Sequence, residues 1–416
     1  MSEPPADSLP KGMRLTAFDE AYRNDPYRVL APLREQQPVL YDDEFRRWFL
    51  TRFDDIRQVL RDKEMSTDPR KADPNSYFAR ITGMGGDQSV APSTLMLLMD
   101  DPDHRRVRGL INKAFTAKAV EELRPRLRQI AADLVAAIDA REFDLIASFA
   151  GPFPVIAIAE MLGVDPAHRE SFKRWSEVVL ATFSNPRRTM AEAAAMRTAA
   201  RELNAYFAGM IDLRRRTPAN DLISAMLQAE EKGDRLNDAE IISQCNLLLI
   251  AGNVTTTDLI GNGVKALMDH PHELAKLRAR PELIENAVEE MLRFDTPITT
   301  IGRRTVQREM TIRGQCLHVR DTVSASLAAA NHDPRANPDP ERFDIERPNI
   351  QHQSFGGGRH FCLGAPLARV EAQEGLMQLL RRFSELRPAP RGFEYRKVAN
   401  FRGLSEYWLS GEPATA

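Results

Sequence analysis

Residues 355–364 read Phe-Gly-Gly-Gly-Arg-His-Phe-Cys-Leu-Gly, and they lead into Ala-Pro-Leu-Ala-Arg at residues 365–369. The glycines permit a tight loop with positive φ angles, whose backbone can approach a flat partner closely. Cys362 lies just before a predicted helix at about 365–383, and the first turn of this helix contains Pro366, a favoured placement for proline. Because a helix N-terminus and its N–H donors lower the pKa of a thiol, the loop favours a thiolate at Cys362, the form that binds iron.

Two other interpretations of this loop compete with an iron ligand. A glycine loop before a helix can cradle phosphate, but the Gly-Lys-Ser/Thr of a phosphate-binding loop does not occur here. A lone cysteine is also commonly a buried core thiol. The loop by itself leaves that second interpretation open.

The rest of the chain reads as mainly helical up to about residue 295. Segment 77–95 is loop-like, because it contains three glycines and a proline. The helix at 238–268 begins with Asn237 and Glu240 in the spacing of a capping box, and its middle is apolar nearly all round. We therefore expect a buried helix about 45 Å long. The predicted helices are 102–117, 119–141, 166–183, 190–215, 238–268 and 283–294.

After residue 297 short β-type runs appear, at 310–312, 316–319 and 322–324, and a β-rich tail follows the last helix. The predicted fold class is mainly α with small β-sheets. We expect a disordered segment at 1–11 and a single domain at 12–412.

Composition excludes several classes of protein. The formal net charge of -2 gives no electrostatic argument for nucleic-acid binding. Three cysteines, Cys245, Cys316 and Cys362, do not make a disulfide framework, and this favours a reducing cytoplasm. The N-terminus has no apolar signal-peptide region, and no run of 18 apolar residues occurs. We expect a soluble cytoplasmic protein without a membrane segment.

Three further segments carry polar residues at helical spacing. Glu290 and Arg293 lie on one helical face, which is usually a solvated surface ion pair. His104 and Arg108 lie one turn apart after Asp101-Pro102, where the simplest interpretation is a pair of surface bases. Thr255 lies within the long helix, where back-bonding to a carbonyl is the usual role of a threonine hydroxyl.

Together, and in this order, these segments resemble the cytochrome P-450 superfamily over roughly residues 90–410. The bacterial haem-binding loop of that family reads Phe-Gly-x-Gly-x-His-x-Cys-x-Gly. The resemblance implies a cytochrome P-450 fold with haem b (iron protoporphyrin IX) between the long helix and the helix after the cysteine. It implies that Cys362 is the axial iron ligand, with Phe355, Gly356 and Gly364 in the haem-binding loop.

The resemblance also assigns roles outside the loop. His104, Arg108, Arg303 and His360 would bind the haem propionates, and Arg342 would join Glu290 and Arg293 in a buried ion triad. Segment 251–256 resembles the oxygen-binding segment of the long helix. There Ala251 would contact the haem, Gly252 would leave room for dioxygen, and Thr255 would be catalytic.

This sequence departs from the family pattern at Val254, where an acid is usual. That departure puts the ordinary route of proton delivery in doubt. Either Thr255 orders a water on the side of Asn253, or Asp258, four residues beyond Val254, supplies the carboxylate. A simpler interpretation is that Asp258 pairs with a neighbouring base and that Val254 widens the substrate pocket.

The implied reaction inserts one atom of dioxygen into an apolar organic substrate, by hydroxylation or epoxidation. Electrons would come from NAD(P)H through a ferredoxin and a ferredoxin reductase, as in bacterial members without a membrane anchor or fused flavin domain. A peroxygenase that uses hydrogen peroxide and a haem-binding sensor or carrier are the alternatives. The sequence does not choose among fatty acid, terpenoid, steroid and macrolide substrates.

Overall fold

A computed structural model describes residues 9–83, 93–168, 189–231 and 233–414, together with residues 171, 172, 174, 175, 178 and 179. The described residues cluster into two compact units. The first lies within Met1–Pro92, Glu289–Cys362 and Tyr395–Gly403, and the second within Ser93–Val288, Leu363–Glu394 and Leu404–Ala416. The expectation of a single domain at 12–412 stays a prediction.

Helices make up most of the described chain. Starting with α1, the α-helices are Glu20–Asn24, Pro26–Gln36, Phe53–Arg61, Tyr77–Thr82, Asp103–Ala114, Ala117–Ala136, Pro152–Met161, Met190–Arg216, Leu222–Gln228, Asp238–Asp269 (α10), Pro271–Ala279, Ile284–Phe294 (α12), Leu327–Asn331 and Ala365–Arg382 (α14). Short 3-10 turns occur at Gly12–Leu15, Pro69–Lys71, Met96–Leu98, Pro166–His168, Pro281–Leu283 and Gly358–His360, and a π-helical turn at Ile146–Ala150.

The strands form small sheets. Starting with β1, they are Val39–Asp42, Arg47–Leu50, Met65–Ser66, Phe143–Asp144, Glu230–Glu231, Asp234–Arg235, Thr300–Val306 (β7), Met310–Ile312, Gln315–Leu317, Thr322–Ser326 (β10), Phe383–Tyr395 and Leu404–Pro413. The largest sheet, in the first unit, has the order β1-β2-β10-β7-β3. One face of it packs Val39, Leu50, Val306 and Val323 onto α3. The predicted class, mainly α with small sheets, is confirmed.

The long helix is the prediction that the structure matches best. Helix α10 runs over 32 residues from Asp238, and Asn237 and Glu240 form the expected capping box. No helix in the described ranges combines the length and apolarity needed to cross a membrane.

Other boundaries differ. Helix α5 begins at Asp103, and Tyr77–Thr82 is a helix within the segment expected to be a loop. The first two strands and helix α7 were not predicted. Residues 1–8, most of 169–188 and residues 84–92 lie outside the described part, and with them most of the expected disordered segment, half of the helix at 166–183 and half of the loop at 77–95.

Leu9 and Lys11, at the end of the segment expected to be disordered, lie among the described residues. Leu9 is buried in the core that contains Leu15, Leu30 and Phe49. The ammonium group of Lys11 is 2.8 Å from the carboxylate of Asp43.

A fully buried ion cluster lies at the end of α12. Arg293 donates Nε and Nη2 to the two carboxylate oxygens of Glu290, at 2.7 and 2.8 Å, and both side chains are 0% exposed. The third charged member is Arg347, whose Nε is 3.1 Å from Glu290 Oε1. The backbone N–H of Asp344 is a further donor to the same oxygen, at 3.1 Å.

The expected role of Arg342 in this cluster was wrong. Its side chain is 64% exposed and pairs with Asp344 at 3.2 Å. Only its carbonyl takes part, accepting from Arg293 and Arg347 at 3.2 and 2.6 Å. The irregular backbone after α12 turns the carbonyl of Arg342 inward and its guanidinium outward, and Arg347 supplies the charge instead.

Replacing Arg347 with alanine should therefore destabilise the protein far more than replacing Arg342. Removing one member of a buried ion cluster leaves an uncompensated charge, which costs about 3–5 kcal/mol. Removing an exposed partner costs about 0–1 kcal/mol. Urea unfolding of the haem-loaded Arg347→Ala and Arg342→Ala variants measures both, and equal losses would contradict the assignment of Arg347.

Candidate functional site

The loop that carries Cys362 is closed by its own backbone. The N–H of Cys362 donates to the carbonyl of Phe355 at 2.9 Å, and Cys362 itself is exposed. Helix α14 begins three residues later, at Ala365, with Pro366 in its first turn as predicted. The cysteine therefore lies in a short, fixed loop immediately before a helix N-terminus, where N–H groups stabilise a thiolate.

Gly358 shows why the loop is rich in glycine. Its φ is +64°, and a Cβ atom there would lie 2.3 Å from the carbonyl oxygen of Leu60. Any side chain would clash with the backbone of α3. Gly356 also has a positive φ, +69°, at the turn that brings Phe355 back toward Cys362.

A second set of contacts fixes the start of this loop to α12 and α13. Asn331 donates from Nδ2 to Ser354 Oγ at 2.9 Å and accepts the N–H of Gln353 at 2.7 Å. Ser354 Oγ donates to the carbonyl of Leu292 at 2.6 Å. The carbonyl of Asn331 accepts from Arg293 at 3.2 Å, so the loop is linked to the buried ion cluster.

Two of the expected propionate ligands lie in the first unit. Arg303 is on β7, is partly exposed, and burial lowers its pKa to about 10, with Tyr77 offsetting part of the shift. It stays charged at neutral pH, so it can bind an anionic partner. The His360 ring lies 3.2 Å from the Thr67 hydroxyl.

The second unit carries the long-helix residues on a stripe of α10. Ala251 is exposed and Thr255 half-exposed, although most of their neighbours in the helix are buried. A Cβ atom added at Gly252 would meet nothing within 4 Å. Further along the same stripe Asp258 is fully buried. The helix therefore presents open space beside Ala251, Gly252 and Thr255 that ends at Asp258.

The hydroxyl of Thr255 donates to the carbonyl of Ala251 at 2.6 Å. In this rotamer its proton is used within the helix, and its oxygen can accept a hydrogen bond from a partner in the open space. Val254 is 4% exposed and therefore lies away from that space.

His104 and Arg108 lie one turn apart on α5, as expected. His104 is 2% exposed, and its Nδ1 is 3.7 Å from Asp101. Arg108 is partly exposed. Asp101, just before the helix, accepts from the Arg105 guanidinium at 3.0 Å.

Sequence reasoning missed Glu371, a carboxyl group buried on α14. It is 2% exposed, and burial raises its pKa to about 8, with a hydrogen bond to Thr256 offsetting part of the shift. At neutral pH it is therefore a neutral acid beside α10, and its partner Thr256 is the residue that follows Thr255. Glu374, three residues on, has the opposite behaviour: burial disfavours its ionisation, but hydrogen bonds from Arg128 and Arg124 overcome this and lower its pKa.

Glutamine substitutions of these two acids should change the pH dependence of stability with opposite signs. A folded-state pKa raised above the unfolded value means that folding binds a proton, so stability falls as pH rises from about 4.5 to about 8. Glu371→Gln removes this loss, so its stability relative to the parent protein should be greatest at pH 8 and above. Glu374→Gln should lose stability at neutral pH and approach the parent protein in acid.

Thermal unfolding of the haem-loaded proteins between pH 4 and pH 9 checks both expectations. Parallel profiles for Glu371→Gln and the parent protein would show that Glu371 is ionised in the folded state.

Comparison with known proteins places this chain in a family. The family model described as cytochrome P-450 matches residues 170–392. The chain is 36% identical to vitamin D(3) 25-hydroxylase of Pseudonocardia autotrophica, over 96% of this chain and 97% of that protein. It is 37% identical to 6-deoxyerythronolide B hydroxylase of Saccharopolyspora erythraea, over 88% of this chain and 91% of that one.

A solved structure agrees. The ligand-free structure of cytochrome P-450 TbtJ1 superposes with a TM-score of 0.85 at 38% identity, covering 96% of this chain and 99% of that chain. The cofactor of the family is haem with a cysteine thiolate ligand, and its members here are hydroxylases of organic substrates. The chain belongs to the cytochrome P-450 family and is a monooxygenase of that family.

Proposed function

We propose that Cys362 is the axial thiolate of the haem and that ferredoxin delivers electrons from NAD(P)H for insertion of one oxygen atom into an apolar substrate. The observation that carries the assignment is the position of the thiol. Cys362 is exposed in a glycine loop before a helix, whereas Cys245 is buried within α10, where burial raises its pKa, and Cys316 lies on a surface hairpin. The thiolate, not the neutral thiol, is the form of cysteine that binds iron.

The chemical groups of the cysteine loop and of the candidate propionate ligands suit a haem. The cysteine loop offers an exposed sulfur and a backbone without bulky side chains at Gly356 and Gly358. Arg303, His360, His104 and Arg108 offer cationic or donor groups for the propionates. When bound, the haem supplies the iron that activates dioxygen, and thiolate donation favours O–O cleavage.

Proton delivery in this chain would use the face of α10 that carries Ala251, Thr255 and Asp258. Valine at 254 can neither donate nor relay a proton, and its side chain is buried. Thr255 can accept a hydrogen bond from a water in the open space beside Gly252, and this orients a proton donor there. Asp258 lies about one turn further on the same face and is the carboxylate closest in sequence. Glu371 is a second acid near this segment.

A basic region in the second unit supports ferredoxin as the partner. Residues 103–136, which cover α5 and α6, contain eight basic and four acidic residues in a chain whose net charge is -2. Arg105 has a 78% exposed side chain, and Lys113 is exposed. Arg106 is held by Glu240 and is less available. Ferredoxins are typically acidic, so this surface would accelerate their encounter at low salt.

Replacement of Cys362 should abolish thiolate ligation. The reduced protein with carbon monoxide is expected to show the far red-shifted Soret band of haem-thiolate proteins, and Cys362→Ser should lose it. Cys245→Ser and Cys316→Ser are matched controls that should keep the band. If Cys362→Ser keeps it, another residue binds the iron.

Replacement of Thr255 should uncouple electron consumption from product formation. With NADH, ferredoxin and ferredoxin reductase, Thr255→Ala should release several-fold more hydrogen peroxide per NADH, because protons would arrive too slowly for oxygen insertion. Thr257→Ala is the matched control, since its hydroxyl also back-bonds, to the carbonyl of Asn253 at 3.0 Å, but it is buried.

Asp258→Asn tests the carboxylate in the same assay. Unchanged coupling in both Thr255→Ala and Asp258→Asn would remove the two residues from the proton route. Product formation with hydrogen peroxide alone, and none with NADH and ferredoxin, would establish the peroxygenase alternative.

A further inference from the structure

His352 lies in the first unit, at the base of the cysteine loop and ten residues before Cys362. Its side chain is 8% exposed, and each ring nitrogen has a partner. Nδ1 accepts the backbone N–H of Ser354 at 3.2 Å, and Nε2 is 3.1 Å from a carboxylate oxygen of Glu289. The imidazole therefore joins a side chain of helix α12 to the backbone of the loop.

The partner of Nδ1 decides which nitrogen of His352 carries the ring proton. A backbone N–H can only donate, so Nδ1 must present its lone pair to Ser354. The proton of the neutral ring is then on Nε2, where it points to the carboxylate of Glu289. A carboxylate bound to one imidazole nitrogen fixes the tautomer and makes the other nitrogen a better acceptor. Glu289 therefore strengthens the bond from Ser354 to the ring.

The bond to the ring fixes the orientation of Ser354 in the loop. The hydroxyl of Ser354 also donates to the carbonyl of Leu292 at 2.6 Å, so its N–H and its side chain are both held. The next carbonyl along the chain, that of Phe355, accepts the N–H of Cys362 at 2.9 Å. The centroids of the His352 and Phe355 rings are 5.8 Å apart. His352 thus contacts the residue whose backbone holds Cys362 and the residue before it.

We propose that His352 is a positioning residue for the thiolate of Cys362, and that Glu289 holds its ring in the tautomer that this role needs. The proposal rests on the proposed ligation of the haem iron by Cys362. Residues one layer out from a metal ligand orient that ligand, and their loss commonly weakens metal binding or activity about 10–100-fold. Without an acceptor at Nδ1, Ser354 is held less firmly, and with it the carbonyl of Phe355. We expect the sulfur then to leave the iron more easily.

Two substitutions at position 352 separate the two ends of the ring. Asparagine places an amide oxygen where Nδ1 lies and has no atom at the position of Nε2, so His352→Asn keeps the acceptor for Ser354. Glutamine places its amide group where Nε2 lies, so His352→Gln keeps a partner for Glu289 and loses that acceptor. Both variants remove the aromatic ring, and each is therefore the matched control of the other.

The quantity to measure is the rate at which the reduced, haem-loaded protein with carbon monoxide loses its thiolate-type Soret band in mild urea. Circular dichroism in the far ultraviolet records helix content in parallel. His352→Gln should lose the band about tenfold faster than the parent protein, at unchanged helix content. His352→Asn should stay close to the parent protein. Glu289→Ala leaves the ring in place and replaces a side chain that is 29% exposed, and its rate should lie between the two.

His332→Gln is the control for the loss of a buried imidazole. His332 is 1% exposed, and its Nδ1 is 3.3 Å from a carboxylate oxygen of Glu341. Its Nε2 is 2.8 Å from the carbonyl of Phe294, so this ring is bonded to α12 and not to the loop. The substitution should lower the urea concentration at which helix content is lost. It should not speed the loss of the Soret band while the helices are intact.

The outcomes distinguish this proposal from the ligation on which it rests. Equal rates in His352→Asn and His352→Gln would overturn the role of Nδ1, and an equal acceleration in His332→Gln would reduce the effect to a general loss of stability. A parental rate in Glu289→Ala would remove Glu289 from the proposal. A parent protein without the thiolate-type band would instead contradict ligation by Cys362 itself.

Discussion

The buried carboxylate of Glu290 is the constraint on which the first unit depends. A charge that is completely removed from water is tolerated only when it is paired and hydrogen-bonded. Glu290 meets this requirement with Arg293 on its own helix and with Arg347 and the Asp344 backbone, 57 and 54 residues further on. The segment after residue 338 has little regular structure, so these charged contacts give it a defined course. Through Arg293 the order extends to Asn331, and through Asn331 to Gln353 and Ser354 at the start of the cysteine loop.

The cysteine loop and the long helix hold their candidate functional groups in place by different means. The sulfur lies on a loop of low intrinsic order that is fixed by hydrogen bonds at its base and by glycine contacts with α3. Segment 251–256 lies on a long capped helix, where burial on most sides leaves one stripe accessible. The two glutamates of α14 differ in charge because of their positions on the helix. Glu371 is neutral beside α10, whereas Glu374 is charged beside Arg124 and Arg128.

Local sequence patterns predicted those features that local chemistry determines. The cysteine loop, the capping box at Asn237 and the pairing of Glu290 with Arg293 follow from spacing, and the structure contains all three. The choice of Arg347 over Arg342 could not be predicted, because it depends on which way an irregular backbone turns. The raised pKa of Glu371 depends on helix packing, and the short strands β1 and β2 are stabilised by the parallel pairing of β2 with β10, more than 270 residues away. The roles of Thr255, Asp258 and the propionate ligands stay predictions.

Arg402 links segments of the first unit that are far apart in sequence. It donates to the carbonyl of Arg23 at 2.7 Å across 379 residues of sequence, and it binds Asp295 and the Tyr395 hydroxyl. At synthesis rates of about 5–20 residues per second, the N-terminal helices wait roughly 20–80 s for this partner to be translated. During that interval β1 and β2 lack β10 for most of the time, and their apolar edges are open to other chains. A nascent chain of this topology depends on cellular chaperones more than a domain built from sequence neighbours does.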